Sequence, residues 1–186
     1  MKINEGFVES EGHRLGYLSV NEHLLNQNEQ PIIVFIHGFL ASINFWRDCV
    51  PPSFKEDRAW YSLSLPAHNP KAYGANPLSQ RMLDNIKPNV SQQNYSDLFP
   101  LLNGITRLEI ADQLEEINIP CYIFACTHDQ IVLAKQSLLL SSKIPNAKTV
   151  VFHNVGHMPF IEDPDNYFSA LEDAISSIIK QLTNNR

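Results

Sequence analysis

The chain of 186 residues is poor in the features that mark several large protein classes. Its long unbroken apolar stretches, Ile32–Ile36 and Cys121–Cys126, are far short of the ~20 residues that cross a bilayer. Residues Met1 to Glu5 carry no apolar core, so no secretory leader is expected. Basic residues number 14 against 20 acidic ones, a formal net charge of −6. That balance argues against nucleic acid and against an anionic membrane surface as partners. Cysteine is scarce: Cys49, Cys121 and Cys126 include no C-x-x-C pair. No disulfide framework follows from them, and they read as core thiols of a reduced, cytoplasmic protein.

What is present describes a folded domain. Hydrophobic residues make up 44%, charged residues 18% and aromatics 10%, a balance that builds a core rather than a disordered polymer. The length fits a single domain spanning residues 1–186. Pro31–Ile36 and Ile119–Cys126 are continuous apolar runs of the kind found in parallel strands covered on both faces. Ala59–Leu65 and Thr149–Phe152 read as two further strands. Helices are expected over Ser42–Val50 and Val132–Lys143, with shorter pieces at Leu78–Ile86 and within Leu98–Leu114.

The last helix has the clearest signature. Asp163 suits an N-cap and Pro164 a first helical residue, and Phe168, Leu171, Ile175, Ile178 and Leu182 recur as one apolar stripe. Alternation of strands and helices predicts an α/β fold, a mostly parallel sheet with helices on both faces. Residues 70–108, rich in proline and polar residues, form the irregular part.

Function in open α/β sheets collects at the carboxyl ends of strands. His37-Gly38-Phe39 follows the first apolar run, Asp129 follows the second, and His157 follows the 149–152 strand. An aspartate followed in the chain by a histidine fits an orienting carboxylate and a general base. A glycine beside the first strand end lets backbone N–H groups approach an oxyanion. His153 and His157 also make an H-x-x-x-H spacing, and with His128 and Asp129 they frame a weaker, metal-dependent alternative.

These residues resemble those of the α/β-hydrolase fold family, in its serine esterase and lipase-like branch. His37-Gly38-Phe39 with Trp46 is similar to the family's oxyanion loop and first helix, and Ser64-Leu65-Pro66-Ala67-His68 to its next strand end. Residues 117–129 resemble the strand carrying the acid, and Gly156–Pro164 the segment carrying the histidine. Gly6–Val20 resembles the opening hairpin. The resemblance implies His157 as base, Asp129 as its acid, the Phe39 N–H as an oxyanion donor, and Phe45 and Trp46 as walls of an acyl pocket. It implies no cofactor, and a small apolar or ester-like molecule as partner.

The chain departs from the family at one place. The family's Gly-x-Ser-x-Gly elbow between strand and helix is absent: Gly12 and Gly16 alone stand four apart, and Arg14 lies between them. A block beginning near Ala72–Ala75 is missing, which makes this a truncated α/β-hydrolase fold with residues from about Leu78 as a cap remnant. Two readings follow. One is a hydrolase of small esters with an unnamed nucleophile; the other is an inactive relative that binds a small ligand or a protein. Loss of the nucleophile strand also leaves the Pro31–Ile36 strand to pair with a later one, with 119–126 as candidate, or to dimerise through the gap.

Overall fold

The computed structural model describes residues 1–10, 12–25, 31–38, 43–64, 95–107 and 109–184. Backbone contacts divide the chain into two compact units, Met1–Arg107 and Leu108–Arg186.

The first unit is built on a hairpin. Strands β1 (Ile3–Ser10) and β2 (His13–Val20) pair antiparallel from Ile3 opposite Val20 to Ser10 opposite His13. Gly12 turns between them with φ +79°, a conformation that L side chains rarely adopt. Strands β3 (Ile33–Ile36) and β4 (Trp60–Leu63) pair parallel, and β2 pairs antiparallel with β4, giving the order β1-β2-β4-β3. Between β3 and β4 lie a 3-10 turn at Ile43–Phe45 and two short helices, α1 (Trp46–Cys49) and α2 (Pro52–Glu56). Helix α3 (Tyr95–Arg107) closes the unit and carries Pro100 within it.

The core of this unit is aromatic. Phe35 stacks on Trp46 at 5.0 Å and meets Trp60 edge-on at 5.4 Å, contacts that contribute about 0.5–1.5 kcal/mol each beyond burial. Trp60 is fully buried and its indole N–H donates to the Phe54 carbonyl at 3.0 Å. Val34 and Ile36 on β3, and Ile32 just before it, leave about half of their surface exposed while Phe35 is buried.

In the second unit, β5 (Cys121–Cys126) and β6 (Ala147–Phe152) pair parallel, Cys121 opposite Ala147 and Cys126 opposite Phe152. Helix α4 (Ala134–Lys143) connects them, and α5 (Pro159–Glu162) and α6 (Pro164–Asn184) follow. The Tyr167 ring lies 5.4 to 6.4 Å from Phe124, Phe152, Phe160 and Phe168.

Three expectations are corrected. The strand pairings are mixed, two antiparallel and two parallel among the described residues: a tight hairpin at the start forces antiparallel pairing. The partner found for β3 is β4. The buried face of α6 runs through Tyr167 and Ala174, one position off the expected stripe, and Leu182 is exposed. The aromatic cluster takes the Tyr167 ring and so sets the helix rotation. The expected helix at Leu78–Ile86 lies outside the described residues.

Candidate active site

The in-register end of β5 and β6 sets two loops side by side. The Thr127 N–H donates to the Phe152 carbonyl at 3.0 Å, and the His128 N–H to the Val155 carbonyl at 2.9 Å. The Asn154 N–H donates to Thr127 Oγ1 at 2.8 Å, and Asn154 itself has φ +60°, a left-handed turn that asparagine tolerates well. These three hydrogen bonds tie the loop after β5 to the end of β6 and the loop that follows it.

That arrangement brings Asp129 and His157 together. Asp129 Oδ2 lies 2.9 Å from His157 Nδ1. Its other oxygen, Oδ1, accepts the N–H groups of Ile131 at 2.8 Å and Val132 at 2.9 Å. The turn role and the histidine-orienting role are thus carried by different oxygens of one carboxylate. The Asp129 side chain is 9% exposed and that of His157 42%, so the acid sits behind and the imidazole faces outward. With Nδ1 donating to the carboxylate, Nε2 is left to accept a proton. Burial works against the Asp129 charge, but the bonds from His157 and from the Val132 and Ile131 N–H groups outweigh it and hold the carboxyl below its ordinary value.

Glu162 was not singled out in the sequence. Its carboxylate accepts the Gly156 N–H at 2.7 Å and the Met158 N–H at 3.2 Å, on either side of His157. The signal was an acidic residue one turn into a helix beginning with Pro159, an arrangement related to a capping box. Cys126 lies nearby at the end of β5, buried. Burial first, then the Asp129 and Glu162 charges, push its thiol up, which makes it a poor nucleophile.

The remaining expected site residues belong to the first unit. Phe39 lies outside the described residues. Phe45 meets Trp46 edge-on at 5.1 Å, and Trp46 stacks on Phe35, so both take part in aromatic packing there. His37 is buried, with Nδ1 2.8 Å from the Gly38 carbonyl. Among the described residues no three His, Cys, Asp or Glu side chains converge as a metal site would require.

Comparison with known proteins bears on the family and the fold. The sequence profile of the alpha/beta hydrolase fold matches residues 64–164, more than half of the chain. A proline iminopeptidase of Heyndrickxia coagulans is 30% identical over 80 residues, 43% of this chain and 27% of that protein. A pimeloyl-[acyl-carrier protein] methyl ester esterase of Legionella pneumophila is 30% identical over 67 residues, 36% of this chain and 28% of that protein. The matched stretches thus span little more than a quarter of these curated relatives. Among solved structures, the enol-lactonase of Burkholderia xenovorans LB400 superposes with a TM-score of 0.74 at 12% identity, over 92% of this chain and all of that one, 100%. The CarC serine hydrolase of carbazole degradation gives 0.68 at 13% identity, over 94% and 99%. The profile match, and a fold shared with these structures, place the chain in the alpha/beta hydrolase fold family.

Proposed function

We propose that this chain is a hydrolase of small esters or related acyl compounds, with His157 as general base and Asp129 as the acid that orients it. The observation that carries the reading is the 2.9 Å contact between two side chains on adjacent strand-end loops. A neutral imidazole so oriented takes a proton from an attacking hydroxyl and returns it to the leaving group. The Phe39 N–H is the proposed oxyanion donor, and Phe45 and Trp46 the proposed acyl-pocket walls. The names of the peptidase and esterase relatives support the acyl-transfer class. The three free cysteines are compatible with a cytoplasmic setting. Among the described residues no helix is long and apolar enough to cross a membrane.

The missing Gly-x-Ser-x-Gly favours a second reading, a relative that binds a small apolar ligand without turning it over. Removing the serine of a triad lowers kcat by about 10⁶, and the oxyanion hole and binding together retain only about 10³–10⁴ over water. A fluorophosphonate probe with intact-mass readout separates the two readings. The hydrolase predicts one stoichiometric adduct on the 21.2 kDa chain that disappears in His157→Ala. No adduct on a folded chain of that mass sinks the serine hydrolase and leaves the binding reading or an enzyme with an aspartate nucleophile.

A further inference from the structure

We infer that Glu162 is a positioning residue for His157, acting by holding the two backbone N–H groups that flank it. The inference rests on the reading of His157 as the base paired with Asp129. The loop leading to His157 is pinned upstream, through Asn154 to Thr127 and through the Val155 carbonyl to His128. Downstream the pins are the Glu162 bonds, from Gly156 at 2.7 Å and from Met158 at 3.2 Å. A carboxylate spanning residues i−1 and i+1 fixes the backbone orientation of residue i, and with it the direction in which the imidazole leaves the chain.

Glu162 is itself rigidly placed. Pro159 opens its helix, and the N–H groups of Ile161 and Glu162 donate to the Met158 carbonyl at 2.9 and 3.0 Å. The carboxylate therefore folds back over the first turn onto its own helix start. Gly156 has the complementary feature. A Cβ there would meet Glu162 Oε1 at 2.9 Å and Oε2 at 3.0 Å, distances that real Cβ atoms hardly show. Its φ is not in the left-handed region, so a side chain at this position meets no backbone strain and acts by pushing the end of the Glu162 side chain aside. Both bonds are charge-assisted, the stronger kind.

The test is two-bond ¹H–¹⁵N NMR on the full-length chain, which reads the His157 tautomer and the exchange rate of its Nδ1 proton. Wild type is expected to show the Nδ1-protonated form with slow exchange, and Asp129→Asn to abolish it. Glu162→Ala is expected to speed that exchange several-fold to about tenfold, the size of losing a charge-assisted bond at a solvent-facing site. Glu162→Gln, nearly isosteric, keeps the fold while losing one acceptor oxygen and shifts exchange in the same direction. Gly156→Ala does so too, by displacing the carboxylate, and adds nothing in the Glu162→Ala background. Thermal unfolding on the same samples separates general destabilisation, which leaves the Nδ1 proton unchanged. Wild-type exchange retained in Glu162→Ala, Glu162→Gln and Gly156→Ala overturns the role of Glu162. A wild-type chain without the slow proton, or one insensitive to Asp129→Asn, overturns the base reading instead.

Discussion

Asp129 uses both carboxylate oxygens, and each use has its own test. Asp129→Asn keeps an oxygen for the Ile131 and Val132 N–H groups but turns an amide toward His157. Any hydrolytic turnover is then expected to fall about 10⁴-fold, as in triad enzymes given the wrong tautomer, while the fold survives; esterase assay beside circular dichroism checks both. Asp129→Ala also leaves the two solvent-facing N–H groups to water and is expected to lower stability by about 0.5–1.5 kcal/mol. Acid titration follows from the lowered pKa of this carboxyl. The ionised form is the one the fold stabilises, so its contribution is complete above the unfolded-state value of about 3.9 and is lost as pH falls through the lower folded value. Unfolding free energies measured from pH 6 down to 2 should show a shallower acid limb in Asp129→Asn than in wild type. Asp129 and His157 were legible in the sequence because each follows an apolar strand. Glu162 was not, since a capping carboxylate is recognised only once the N–H groups it receives are located.

At the scale of elements, Asn21 holds the end of β2. It has φ +53°, its Oδ1 accepts the Lys2 N–H at 2.9 Å, and its amide donates to the carbonyls of Lys55 at 3.0 Å and Arg58 at 3.2 Å. One side chain thereby ties the hairpin to the loop after α2. Asn21→Ala is expected to destabilise by about 2–4 kcal/mol through lost bonds and backbone strain. Asn21→Gly recovers about 1 kcal/mol of that, because glycine accepts positive φ. Denaturant unfolding of the three proteins gives both numbers. Nothing in the sequence marked Asn21, since its partners lie 19 to 37 residues away. Strands β3 to β6 were legible as apolar runs. The rotation of α6 was not, because Phe168 and Tyr167 are both large aromatics and only the ring cluster around Phe124 and Phe152 chooses between them.

For the whole molecule, charge and exposed apolar surface act against each other. The net charge of −6 keeps copies apart at neutral pH, and the sequence pI is about 5.6. Ile36 is 58% exposed on β3, beside Ile32 and Val34. Light scattering is therefore expected to show association rising as pH falls from 8 toward the pI. Ile36→Lys should suppress it by placing a charge on that apolar surface; an unchanged profile in the variant would direct attention to another surface. The tie between the two strand-end loops has a different consequence. Acid, base and the carboxylate that steadies the base all fall within residues 121–162, on the loops and short helix that follow the two strands of one parallel pair. Such a stretch is a transplantable cassette: grafted onto another parallel β-α-β scaffold, it would carry a ready-oriented imidazole to whatever hydroxyl the host presents.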